Sequence, residues 1–140
     1  AAHADCTNNF EFPDMTSDDI FSRFADAVLR IDDGRDVGTG FLIDAKQGYV
    51  LTAAHVVSNA VATKRDAISA TSPALPGRQI ALTFVRDLAP TVDLALLQVD
   101  PPDLLSDVWP LDISLRTPRP GMAYAMGYSR GDPKESAHLV

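Results

Sequence analysis

Two residues in this chain pair useful chemistry with a setting that can hold them still. His55 closes the run Gly48-Tyr49-Val50-Leu51-Thr52-Ala53-Ala54-His55-Val56-Val57, where a β-prone stretch leads through two alanines to one imidazole. A histidine just after a strand, among small and apolar neighbours, is held in one orientation, as a general base requires. The competing account is a core histidine whose ring is satisfied by a backbone carbonyl. Upstream, Gly38-Thr39-Gly40-Phe41-Leu42-Ile43 places glycines for close backbone approach before a strand. Asp93 stands in Thr91-Val92-Asp93-Leu94-Ala95-Leu96-Leu97-Gln98-Val99, at the head of an apolar run where a carboxylate can be buried beside an imidazole. Asp87, in the polar Arg86-Asp87 step, is the rival carboxylate and reads as solvated. His55 and Asp93 are 38 residues apart, so only the fold can join them.

Taken together, these segments resemble the trypsin-like serine peptidases, and within them the HtrA/Deg branch. The matching parts are the G-x-G-F strand, the L-T-A-A-H-V turn and the D-L-A-L-L segment, with 122–127 similar to the strand entering a second barrel. The resemblance runs from about Ala27 onward. It implies a mainly β fold: an antiparallel β-barrel, the first of the family's two plus the start of the second, with a short N-terminal helix. The implied division is 1–26 for the helical N-terminal segment, 27–117 for the barrel carrying His55 and Asp93, and 118–140 for the opening of the second barrel. The implied activity is a serine endopeptidase acting on polypeptides. His55 would be its general base and Asp93 the carboxylate that fixes the imidazole's tautomer and stabilises the imidazolium. Neither a cofactor nor a metal is implied.

The nucleophile breaks the pattern. The family's serine comes from a G-N/D-S-G-G turn, and no such string follows Asp93. Ser106, Ser114, Ser129 and Ser136 all lack the paired glycines that let backbone N–H groups converge on an oxyanion. Gly127-Tyr128-Ser129-Arg130-Gly131 spells a G-x-S-x-G elbow. However, Asp132-Pro133 interrupts the helix an α/β-hydrolase needs, and His138 alone follows, so the string reads as a polar turn. The expectation is therefore the N-terminal part of a peptidase, active as a full-length protein and inactive as these 140 residues. The alternative is a non-catalytic binding or sensing module that keeps the barrel and has lost its serine.

The elements that must position these residues are short. An amphipathic helix is expected within 14–30, ending near Ala25 because 27–31 also reads as a strand entry. Strands are expected at 41–43 and 49–52 around a hairpin loop, then at 80–86, at 94–99 with 94–97 buried on both sides, and at 122–126. A short helix plus loop is expected over 58–70, and a Pro-rich connection over 71–77. Trp109 reads as a packing anchor. Strand 122–128 offers an open edge through which the chain is expected to self-associate.

Composition narrows the partners. A hydrophobic share of 46% supports a real core, and a single cysteine, Cys6, forbids an intrachain disulfide or a cysteine-cluster metal site. His3 and His138 have no second ligand at metal spacing. The net charge of −7 repels nucleic acid and anionic membranes. No apolar run approaches the roughly 20 residues of a membrane helix. The small-x-small start Ala2-His3-Ala4 points to export, to the bacterial periplasm or outside the cell.

Overall fold

Thr16 fixes where the chain first becomes helical. Its hydroxyl accepts from the Asp19 N–H at 3.2 Å while its own N–H donates to the Asp19 carboxylate at 3.2 Å, a reciprocal cap. The helix it opens, α1 (Ser17–Phe24), gives way to a 3₁₀ turn at Ala25–Ala27 and then to strand β1 (Val28–Asp32). The helix is thus shorter than the 14–30 window. From Val28 on, inward Leu29 and Ile31 alternate with partly exposed Arg30 and Asp32, and this period-two pattern suits a sheet. The computed structural model describes residues 16–63, 68–89, 91–114, 120, 125–128 and 138–139.

Six strands close into an antiparallel barrel. After β1 come β2 (Val37–Asp44), β3 (Tyr49–Thr52), helix α2 (Ser58–Thr63), β4 (Ile68–Thr71), β5 (Ile80–Ala89) and β6 (Val92–Asp100). Around the barrel the order is β1-β2-β3-β6-β5-β4, and β4 returns to β1 through Ile31 opposite Ala70. Strand β4 was not expected. Among the described residues of the anticipated helix-plus-loop, 58–63 are helical, while Ile68 and Ala70 alternate inward and complete the ring. The run 94–97 is also not buried on both sides: Ala95, Leu97 and Val99 point into the core, whereas Leu94 is 38% exposed.

The core is aliphatic and continuous, with Leu29, Ile31, Leu42, Val50, Ile80 and Leu97 at 0% exposure and Leu105 joining from the loop after β6. Gly40 shows how tightly it is packed. A Cβ there would run into Ile31 Cδ1 and Val50 Cγ1, so the second glycine of G-T-G is a packing requirement. The loop after β6 is tied back by the Leu111 N–H, which donates to the Leu42 carbonyl at 2.8 Å. Trp109 is 44% exposed and is not packed into the core as expected of an anchor; the Arg23 guanidinium lies 5.1 Å from its ring centroid, linking α1 to that loop.

A two-residue strand β7 (Met126–Gly127) pairs with β8 (His138–Leu139). It leads into Tyr128, whose N–H donates to Thr39 Oγ1 at 2.8 Å and whose hydroxyl donates to the Val28 carbonyl at 3.3 Å. The exit from the barrel is therefore docked on β1 and β2. The expected strand at 122–126 falls largely outside the described residues, as do His3, Cys6, Ser129 and Ser136.

Candidate active site

The β2–β3 hairpin brings the chain back along the G-T-G strand and releases it into a 3₁₀ turn, Ala54–Val57, that runs straight into α2. Thr52, buried at 3% exposure, pins the approach by donating to the Thr39 carbonyl at 2.8 Å. Val56 and Val57 are driven into the core and anchor the turn from below. Their burial turns His55 outward. Gly38 makes this possible, since a Cβ there would sit 2.5 Å from Val56 Cγ2 and push on the residue that seats the histidine. Both glycines of the G-x-G string thus have a steric reason.

Across the barrel mouth, the first residues of β6 carry Asp93 to His55. The carboxylate grips the histidine twice: Oδ1 accepts the His55 backbone N–H at 2.9 Å, and Oδ2 lies 2.5 Å from Nδ1. An ionised carboxylate can only accept, so Nδ1 carries the ring proton and Nε2 keeps its lone pair free to take another. The His55 ring hydrogen bond, then its backbone N–H, hold the Asp93 carboxyl below the usual carboxylate range, with the Ala54 N–H adding to them. What this pairing adds to stability is complete above the ordinary carboxyl pKa of about 3.9 and is lost as pH falls through the lowered value.

The site is more open than the sequence suggests. The side chains of His55 and Asp93 are 72% and 55% exposed, where burial of the carboxylate was expected. The reason is local: Val92, Asp93 and Leu94 all lie at the start of β6, where no described residue covers them. Asp87 is exposed, as expected of the rival carboxylate, and forms no bond with the imidazole. It borders the same shallow hollow of about 290 Å³ as His55, with Ala54, Ser58, Val61 and Ala62. No hydroxyl among the described residues bonds to the His55 ring, and Ser58 Oγ donates instead to the His55 carbonyl at 3.0 Å. Among the described residues, no group of three or more acids, histidines or cysteines could hold a metal ion, and no helix is long and apolar enough to cross a membrane.

One residue that the sequence does not flag is Asp33, a carboxylate with 2% exposure. Its Oδ1 accepts the N–H groups of Arg35 and Asp36 at 3.0 and 2.8 Å, and its Oδ2 accepts that of Ala60 at 3.2 Å. Burial pushes its pKa up. The backbone donors of Asp36, Arg35, Ala60 and Asn59 outweigh that and leave it below the ordinary value. Asp33 therefore ties the β1–β2 turn to the first turn of α2, the helix that continues from His55. The only signal in the sequence is the Asp-Gly turn it sits in, which does not say where the carboxylate points.

A closed six-stranded antiparallel barrel with a paired imidazole and carboxylate at its mouth is a barrel of the chymotrypsin class. The chain belongs to the trypsin-like peptidase domain family, whose sequence model matches residues 38–139. Among solved structures, the chain is similar to the Rv3671c protease in its inactive form, at 24% identity and a TM-score of 0.63 over 86% of this chain and 53% of that one. It is also similar to Deg5, at 20% identity and a TM-score of 0.60 over 94% of this chain and 63% of that one. At these identities the likeness is one of fold, and the chain spans between 53% and 63% of those two proteins. A search of curated proteins finds no match.

Proposed function

We propose that this chain is the first-barrel portion of an HtrA/Deg-like serine endopeptidase, with His55 as general base and Asp93 as its orienting carboxylate. The observation that carries the reading is the double hold of Asp93 on both the ring and the backbone of His55. That hold leaves Nε2 poised to take a proton from a serine hydroxyl and return it to the leaving amine. The serine and its oxyanion donors come from chain beyond this sequence, so these 140 residues alone do not cleave peptides. The full-length protein is exported, to a periplasm or to the exterior, and acts on polypeptides. In the test, a fluorophosphonate probe labels one serine in the full-length protein and loses that label in a His55→Ala variant. An unlabelled native full-length protein would instead support the second reading, a binding or sensing barrel without a nucleophile.

We also propose that the isolated chain self-associates through the strand leading to Tyr128 and the apolar side chains at the barrel mouth. Val92 is 49% exposed, Val85 43%, and Leu88 and Leu94 38% each. Light scattering at tens of micromolar should report dimers or larger species. A monodisperse monomer would contradict the proposal.

A further inference from the structure

The hollow beside His55 has a chemical character of its own. Three of its walls, Ala54, Val61 and Ala62, present methyl groups, and Ser58 adds a hydroxyl that is turned to the His55 carbonyl. Among the lining residues, Asp87 supplies the carboxylate. Among the described residues, no cation and no backbone donor is bonded to the Asp87 carboxylate. Asp93, by contrast, already accepts from His55 with each of its oxygens. An uncommitted carboxylate at the edge of an apolar slot matches a side chain with an aliphatic stem and a cationic head, which is what lysine and arginine have. A negatively charged chain favours the approach of such a side chain, and its methylenes would lie against Val61 and Ala62.

We propose that Asp87 is a specificity-determining residue: the hollow it borders receives a lysine or arginine side chain of the polypeptide substrate, close to the bond that is cut. The assignment rests on the peptidase reading for its meaning in catalysis, but the recognition itself belongs to this barrel and can be measured without turnover. Asp87 reaches no reacting atom and acts only by holding the substrate.

The test uses the full-length protein and three capped, non-hydrolysable tripeptides that differ only in a central lysine, norleucine or glutamate. Norleucine keeps the stem and lacks the charge. Binding is followed by chemical-shift changes at His55 and at the amides of Ser58, Val61 and Ala62. The lysine peptide should bind about three- to tenfold more tightly than the norleucine peptide, with an advantage that shrinks as salt rises. Asp87→Asn should erase that advantage, and Asp103→Asn, a control charge beyond the opposite end of β6, should leave it intact. Equal binding of lysine and norleucine peptides, no binding of either, or an advantage that survives Asp87→Asn would each overturn the proposal. Serine labelling of the full-length protein is read separately, so a barrel that selects lysine yet labels no serine retains this inference and loses only the peptidase reading.

Discussion

Replacing His55 with alanine in the full-length protein is expected to lower kcat/KM by about 10⁴- to 10⁶-fold while leaving the barrel folded. Two observations support this separation of effects. The side chain is 72% exposed and contributes nothing to the core, so its loss should change stability by less than about 0.5 kcal/mol. The turn that carries it is held by Val56, Val57 and Thr52, all of which remain. Asp93→Asn should cost about 10⁴-fold for a different reason. The asparagine oxygen can still accept the His55 backbone N–H, which turns its NH₂ toward the ring. Nδ1 must then accept, the ring proton moves to Nε2, and the base is blocked. Measured kcat/KM and circular dichroism melts of both variants check this. Retention of more than about a tenth of the activity in His55→Ala would remove the imidazole from the chemistry.

The largest expected effect on stability belongs to Asp33. Truncation to alanine leaves the N–H groups of Asp36 and Ala60 without their partner in a buried place, and that of Arg35 turned to solvent. A loss of about 2–4 kcal/mol follows. Asp33→Asn is the sharper probe, because its NH₂ would face the Ala60 N–H, donor against donor. The pH dependence has a definite sign. The folded-state pKa of Asp33 is lowered, so its contribution is complete above about pH 4 and is lost as pH falls through the lowered value. Urea unfolding should therefore show the wild type well ahead of Asp33→Asn at pH 7, with the gap narrowing in acid. An unchanged gap at pH 3 would mean that the ionised carboxylate is not what holds the turn to the helix.

The sequence made much of the site legible because the site rests on local patterns. A strand followed by two alanines, a histidine and two valines can hardly avoid burying the valines and presenting the ring, and the D-L-A-L-L segment announces a strand headed by a carboxylate. What stayed hidden depends on distant neighbours. Strand β4 is only Ile68–Thr71, too short for its alternation to stand out from the helix before it, and it becomes a strand because β1 and β5 flank it. The bonds from Asp33 to α2 span 27 residues, so one aspartate among several in an acidic turn carries no mark of its burial. Asp93 looked buried because the run behind it is apolar, yet the apolar positions alternate and its end of β6 extends past the barrel wall.

The return of β4 to β1 completes a ring in which every strand already has two neighbours. The ring is not equally thick all round: only 80–82 of β5 meet β4, so the rest of β5 has a strand neighbour on its β6 side alone. A substrate, a second barrel or another copy can meet this surface through side chains at its mouth, through that one-sided stretch of β5 or through the little β7–β8 ribbon. A lysine placed on that stretch of β5 should discourage extension by a foreign strand and leave the closed part of the ring untouched.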